Sequence, residues 1–354
     1  MHIAIIHRRL VLRGGLETRL LNYTRELTRR GHRVTVVCYK RDRGVELPEG
    51  VEVVQLELGP VPNPFRKYRF AQVVRRHLRR SAYDYTLSLG RTGGQQAVLA
   101  PGNHLGYLAA RGKRGRSVSD RLQVALDRMA YRESDVVFPC SAMMRDELHA
   151  LYGVALDRMR ILYPPLDTAA FSDSLQPQRE PLRQALATEH DLPLDKVWLL
   201  FVSTGHERKG LPVLDRILPD LPDCHLLVAG YPDPRLRHTN YTYLGFVKQP
   251  ATLYTAADLT VHPAVYEPFG QVVSESLACG TPVYVSEGVG AKEVLGSGGR
   301  ILPTHDDAAW VAALRSYRRA DYPIPTDWAE QHSLPLADHV DRLLAPAVPQ
   351  QKLR

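Results

Sequence analysis

The segment LTVHPAVYEPFGQVVSESLACGTPVYVS, Leu259 to Ser286, is the one on which the reading of the fold turns. LTVHPAV is apolar and suited to a pleated surface, so it predicts a buried strand. Pro268 and Gly270 then break the chain, GQVVSESLACG follows with helical spacing and a closing Gly280, and PVYVS resumes as a strand. A strand, a crossover helix and a second strand form the repeating unit of a parallel sheet. Two acids sit in this unit, Glu267 in the turn and Glu275 about a turn and a half into the helix. An acid ahead of a helix complements the helix dipole, which accounts for Glu267 but poorly for Glu275.

The same alternation runs outward from this segment. HIAIIH and RVTVVCY read as buried strands, with the amphipathic helix GLETRLLNYTRELTRRG between them, closed by Gly31. VEVVQLEL, YDYTLSL, AVLAP and DVVFPCS continue the strands, and SDRLQVALDRMAYRES reads as a helix. A Pro-broken segment, ILYPPLDTAAFSDSLQPQREP, reads as a connection between domains. Beyond it VWLLFVST, a helix from about Leu211, CHLLVAG, YTYLGF and a short helix lead back to Leu259. The expected architecture is α/β, with two Rossmann-like doubly wound domains facing a cleft, because such sheets bind ligands beyond the carboxyl ends of their strands. The expected boundaries are 1–165, 166–330, and 331–354 for a helical segment packing back on the first domain. A chain of 354 residues is long enough for two cores of this size.

Composition narrows the classes. Cys38, Cys140, Cys224 and Cys279 stand far apart with no CxxC pairing, which argues against a zinc cage and against a secreted disulfide framework, and fits a reducing cytosol. The apolar run near the start is interrupted by Arg8 and Arg9, too short for a signal-peptide core or a bilayer span. The formal charge of +8 is concentrated: RKYRFAQVVRRHLRR holds seven Lys or Arg between Arg66 and Arg80 without an acid, and RGKRGR adds four between Arg111 and Arg116. Such clusters attract the phosphates of nucleic acid, anionic lipid or a phosphorylated glycan, although a solvated helix face and a loop would look the same. Neither stretch interleaves aromatics as a single-strand nucleic-acid platform does.

Gly14 and Gly15 stand directly before the first helix, where paired glycines allow close approach of a ligand and helix amides favour an anion; ordinary turn chemistry would use them too. This is not GxGxxG, so a nicotinamide enzyme is poorly supported. In FVSTGHERKGLPVL, Arg208 and Lys209 follow a buried strand and precede Gly210 and a helix. An Arg fork beside a Lys point charge suits a diphosphate, the plainer reading being a surface pair; without GxxxxGK[ST] it is no P-loop. Carboxylates accept bidentately from vicinal hydroxyls, so one of Glu267 and Glu275 could hold a hexose and the other a ribose, with the helix-start amides of Phe269, Gly270 and Gln271 between them.

EPFGQVVSE, in which seven residues separate Glu267 from Glu275, followed by SLACGTPV, resembles the donor-site motif of family 4 glycosyltransferases of the GT-B fold. The likeness extends over nearly the whole chain, through GGLETRLLNYTRELTRRGHRVTVV, FVSTGHERKG, AADLTVHPA and AEQHSLPLADHVDRLL. The last two, with adjacent Arg208 and Lys209, are similar to bacterial lipopolysaccharide-core glucosyltransferases. The resemblance implies a retaining, metal-independent enzyme without a further cofactor. It would move a hexose from a nucleoside-diphosphate sugar, UDP-glucose or another UDP-sugar in front, to a glycan or lipid-linked acceptor in cell-envelope polysaccharide or lipopolysaccharide synthesis. By the same resemblance Gly14 and Gly15 face the donor phosphate and acceptor, Arg208 and Lys209 the diphosphate, Glu267 the transferred sugar and Glu275 the ribose. Phe269, Gly270 and Gln271 present backbone amides, and Val247 offers a backbone contact to the base. His104, in APGNHLGYL, matches the residue of the first domain that relatives place near the reacting carbon; Asn103 is a competing alignment, and a lone His is often structural. Where the family commonly has Gly-Arg this chain has Ser203-Thr204, so Arg208 is expected to supply what that arginine gives.

The implied chemistry follows charge. As the bond from sugar to phosphate breaks, negative charge grows on the diphosphate, and Arg208, Lys209 and the helix amides would meet it. Retention would come from attack on the face that the diphosphate leaves. The expected protein is a cytoplasmic monomer, peripheral on the inner face of the cytoplasmic membrane through its two basic clusters, with no nucleic-acid partner. Two other classes stay open from the residues alone: a GT-B-shaped hydrolase or epimerase of sugar nucleotides, and a basic nucleic-acid-binding protein.

Overall fold

The computed structural model describes residues 1–11, 15–115 and 117–345. The chain divides into two compact units, Met1–Pro165 joined by the helix Leu336–Leu344, and Leu166–Pro335. Each is built on a six-stranded sheet whose strand pairs are all parallel. In the first unit β1 (His2–Ile6), β2 (Arg33–Cys38), β3 (Glu52–Gln55), β4 (Tyr85–Ser88), β5 (Ala97–Ala100) and β6 (Val136–Pro139) lie in the order β3-β2-β1-β4-β5-β6. In the second, β7 (Val197–Thr204), β8 (Cys224–Tyr231), β9 (Tyr241–Gly245), β10 (Leu259–His262), β11 (Val283–Ser286) and β12 (Gly299–Leu302) repeat it as β9-β8-β7-β10-β11-β12. Strand order therefore reverses between β1 and β4 in one unit and between β7 and β10 in the other. A doubly wound sheet takes its ligand just outside the carboxyl ends of the strands at such a reversal.

Burial on both faces explains the continuous apolar strands. In β7, Trp198 and Leu200 pack with Leu227, Ala229 and Tyr254, whereas Leu199 and Phe201 pack on the opposite side with Leu226, Val228, Leu214 and Trp310. Successive strand residues point to opposite faces, so a sheet covered on both sides asks for apolar residues at every position. β1 behaves alike: Ile3 and Ile5 join Tyr23 and Tyr85, while Ala4 and Ile6 join Phe70 and Val74.

The helix Leu336–Leu344 completes the first unit, not the second. Val340, Leu343 and Leu344 enter the cluster around Ile3 and Tyr23. The Tyr85 hydroxyl donates to the Leu343 carbonyl at 3.0 Å, and Arg30 Nη2 donates to that of Ala337 at 2.8 Å. Burial, with help from Arg19, pushes His339 down to about 3, so its imidazole is neutral. Nδ1–H then donates to the Tyr163 carbonyl at 2.8 Å, and Nε2 accepts from the Tyr23 hydroxyl at 2.5 Å.

Candidate active site

The loops after β7 and β10 meet at the reversal of the second sheet. Gly210, with φ 93°, starts the helix Leu211–Ile217, and a Cβ there would lie 1.9 Å from the carbonyl oxygen of Pro263. Only glycine permits both, so the loop carrying Arg208 and Lys209 presses directly on the loop carrying Glu267. Gly270, with φ 103°, similarly starts the helix Gln271–Ala278. The Glu267 backbone is fixed from its other side: its N–H donates to Gly288 and its carbonyl accepts from Gly290, both at 2.9 Å.

In this corner Arg208 Nη1 stands 2.9 Å from Glu267 Oε2 and 2.9 Å from the Tyr266 carbonyl oxygen, and Lys209 Nζ stands 3.4 Å from the same carboxylate oxygen. Burial alone would raise the Glu267 carboxyl, but Lys209 and then Arg208 outweigh it and hold it below the usual carboxylate range. His262, the last residue of β10, is fully buried with Nε2 4.0 Å from Glu267 Oε2. Burial, then the charge on Lys209, push it down to about 3, so the ring is neutral. Neither of its nitrogens has a hydrogen-bond partner among the described residues.

Glu275 is in the opposite electrostatic state. Burial raises its pKa, against the hydroxyl of Tyr254, which donates to Oε2 at 2.8 Å, and against the charge on Lys209. Lys209 thus influences both acids, yet one is kept ionised and the other is pushed toward its proton. Such a divergence within one corner is how a site prepares two carboxyl groups for different tasks. Two cations stand against one firmly ionised carboxylate, an excess of positive charge that suits an arriving anion.

The remaining residues singled out in the sequence fall as follows. Phe269 is buried, its carbonyl accepting from Ala291 N–H at 2.8 Å, and Gln271 is exposed at the start of its helix. Val247 follows β9 and packs, half-buried, on the Trp198–Tyr254 cluster. Gly15 opens the helix Gly15–Arg29, whereas Gly14 lies outside the described residues, as does Arg116. His104 and Asn103 belong to the first unit. Asn103 caps the helix His104–Ala110: its Oδ1 accepts from Gly106 N–H at 2.6 Å and its Nδ2 donates to Glu147 at 2.5 Å. Its amide is therefore engaged in local structure. His104 Nε2 lies 2.8 Å from Asp120 Oδ1, and its backbone N–H donates to buried Asp127 at 2.9 Å. Among the described residues no group of three His, Cys, Asp or Glu converges as metal ligands do.

Sequence reasoning passed over His262 and Tyr254. A histidine ending an apolar strand ahead of the turn at Pro268 and Gly270 was the available signal for His262. For Tyr254 there was none, because its contact with Glu275 joins two helices.

Comparison with known proteins gives the family and the fold. Residues 13–170 match the model of Glycosyltransferase Family 4, and residues 196–318 match that of Glycosyl transferases group 1. A probable transglycosylase of Burkholderia thailandensis is 34% identical over 341 residues, 94% of this chain and 92% of that protein. A D-inositol 3-phosphate glycosyltransferase of Xylanimonas cellulosilytica is 27% identical, covering 85% and 82%. Among solved structures, WaaG, a glycosyltransferase involved in lipopolysaccharide biosynthesis, superposes with a TM-score of 0.70 at 20% identity over 98% of this chain and 96% of its own. HepE of Anabaena in complex with UDP-glucose gives 0.70 at 16% identity over 98% of this chain and 99% of its own. Two parallel-sheet α/β units match the GT-B fold, and the two family models define the class as glycosyltransferase. The chain belongs to the glycosyltransferases of the GT-B fold.

Proposed function

We propose that this glycosyltransferase is a retaining hexosyltransferase that uses a nucleoside-diphosphate sugar, a UDP-sugar in first place, and needs no metal. The observation that carries the reading is the corner at the second reversal, where Arg208 and Lys209 converge on the ionised Glu267. The two cations would receive the charge that develops on the departing diphosphate, a task a metal performs elsewhere. Glu267, already ionised and held, would accept from hydroxyls of the transferred hexose. Glu275, partnered by Tyr254, would accept from the ribose, and Val247 would lie toward the base. Retention follows if the acceptor attacks from the side the diphosphate leaves, its proton passing to a phosphate oxygen. His104, oriented by Asp120, would serve the first unit's side of the reaction.

The acceptor in this reading is a glycan or lipid-linked glycan of the cell envelope, as in lipopolysaccharide synthesis, met on the inner face of the cytoplasmic membrane. Support comes from the exposed Arg66, Arg76, Arg79 and Arg80, with exposed Phe65 and Tyr68 beside them, a combination suited to an anionic lipid surface. No helix among the described residues is long and apolar enough to cross a membrane. The deciding experiment is a melting-temperature panel with UDP, GDP, ADP and their sugars, followed by product analysis. Stabilisation by UDP and UDP-sugar with transfer to a glycan is expected. Release of free sugar at the full turnover rate in the presence of acceptors would mark a hydrolase instead.

A further inference from the structure

The first unit has a reversal of its own, and a cavity of about 180 Å³ opens there, lined by His7, Arg8, Lys67, Ser88, Gly90 and Arg91 among others. His7 and Arg8 follow β1 directly, and Gly90 and Arg91 follow β4. Lys67 reaches in from the first turn of the helix Arg66–Leu78 and is half-buried, while Arg66, Arg75 and Arg76 of the same helix, and Arg79 and Arg80 just beyond it, are exposed. The basic stretch that looks uniform in sequence therefore splits into an exposed set and two half-buried cations, of which Lys67 lines the cavity and Arg69 donates to the Leu58 carbonyl at 3.3 Å.

The charges around this cavity do not balance. Arg91 Nε stands 2.5 Å from Asp127 Oδ1, but Asp127 also accepts from the Tyr152 hydroxyl at 3.0 Å and from His104 N–H at 2.9 Å. Lys67 Nζ donates to the neutral Gln123 Oε1 at 3.1 Å. Arg8 has no carboxylate within ion-pair distance among the described residues, and Glu17 stands 3.3 Å from His7. Burial and then the nearby Arg8 and Arg91 depress the Lys67 ammonium below its usual value, as expected where cations crowd one space.

We propose that this cavity binds a phosphate group carried by the acceptor, with Lys67 and Arg8 as its principal partners and Arg91, held by Asp127, as the third. An Arg fork and a Lys point charge are the usual phosphate contacts. The volume lies below the roughly 300 Å³ at which sites for whole drug-sized ligands begin, so one end of a substrate fits and a nucleotide sugar does not. The assignment rests on the reading above in giving the acceptor to the first unit.

The test is calorimetric titration of the full chain with inorganic phosphate, in an Arg208→Gln/Lys209→Gln background that removes the second unit's cations. Phosphate binding should persist there and weaken about tenfold or more on adding Lys67→Gln or Arg8→Gln, since each removes a charge-assisted hydrogen bond. Lys67→Arg should retain binding, which separates lost charge from lost fold. Binding unchanged by Lys67→Gln and Arg8→Gln, or abolished by the Arg208→Gln/Lys209→Gln change alone, overturns the proposal. UDP titrated into the unaltered chain keeps the two readings apart: no UDP binding beside Lys67-dependent phosphate binding refutes the donor reading and supports this one.

Discussion

Replacing Glu267 with Gln keeps the shape of the corner and removes the carboxylate that Arg208 and Lys209 face. At an effective dielectric of about 20, two unit charges 4 Å apart attract by about 4 kcal/mol, and Glu267 faces cations at 2.9 and 3.4 Å. Desolvation offsets much of this. Arg208 is 33% exposed, so its share falls toward the range of about 0–1 kcal/mol typical of surface pairs. Lys209 is 16% exposed and keeps more, so the net loss should be about 2–3 kcal/mol, just under the roughly 3–5 kcal/mol for stripping one partner from a fully buried pair. At about 2–4 °C per kcal/mol for a unit of this size, Glu267→Gln should melt about 4–12 °C lower. The uncompensated cations should also respond more strongly to an anion, so inorganic pyrophosphate should raise the variant's melting temperature more than the wild type's. The pH dependence has a fixed sign. A carboxyl held below its ordinary value of 4.5 contributes stability above that value and loses it as pH falls through the folded value, so variant and wild type should converge in acid. Calorimetric scans at pH 7 and in acid, with and without pyrophosphate, make the comparison. Equal melting temperatures at pH 7 with equal pyrophosphate responses would refute the coupling of Glu267 to Arg208 and Lys209.

Other expectations follow from the same geometry. Arg208→Ala and Lys209→Ala should each lower transfer by about 10²-fold or more while the protein stays folded, as steady-state rates will show. Glu275→Ala should mainly raise the donor's KM, whereas Glu267→Gln should mainly lower kcat; interchanged phenotypes would reverse the roles given to the two acids. His262 and His339 both stand near 3 in the folded chain, against an ordinary 6.5, so the unfolded chain takes up their protons first. Their contribution is complete above about pH 6.5 and falls by about 1.4 kcal/mol per pH unit for each below it, which urea melts at pH 7 and 5 would register. Co-sedimentation with anionic but not neutral liposomes should weaken with salt and on changing Arg66, Arg76, Arg79 and Arg80 to Gln.

The sheet architecture was legible because strands buried on both faces leave long apolar runs, as HIAIIH and VWLLFVST do. β12 was not: Arg300 and Ile301 are exposed at the sheet's edge, so GRIL carries neither an apolar run nor a clean alternation. The helix Arg66–Leu78 was legible only as one reading of a basic stretch, since its five Lys or Arg outweigh the three buried residues Phe70, Ala71 and Val74. At the candidate site, Arg208, Lys209 and Glu267 could be named individually because each lies beside a glycine turn. Their convergence could not, since it depends on a contact between Gly210 and Pro263, which lie in loops far apart in the chain. The environments of Glu267 and Glu275 were equally hidden, because burial raises both and only the approach of Lys209 and Arg208 to Glu267, rather than residue type, sets them apart.

The helix Leu336–Leu344 has a consequence for biosynthesis. Its side chains belong to the core of the first unit, yet the ribosome makes it only after all of Leu166–Pro335. At about 5–20 residues per second, the first sheet waits roughly 10–35 s for its last piece, whereas the second unit is uninterrupted in sequence and can close as it emerges. The order of completion is therefore second unit first. During that interval the apolar surface around Tyr23 and Tyr85 lies open on the nascent chain, the stage at which a chaperone would have most to hold.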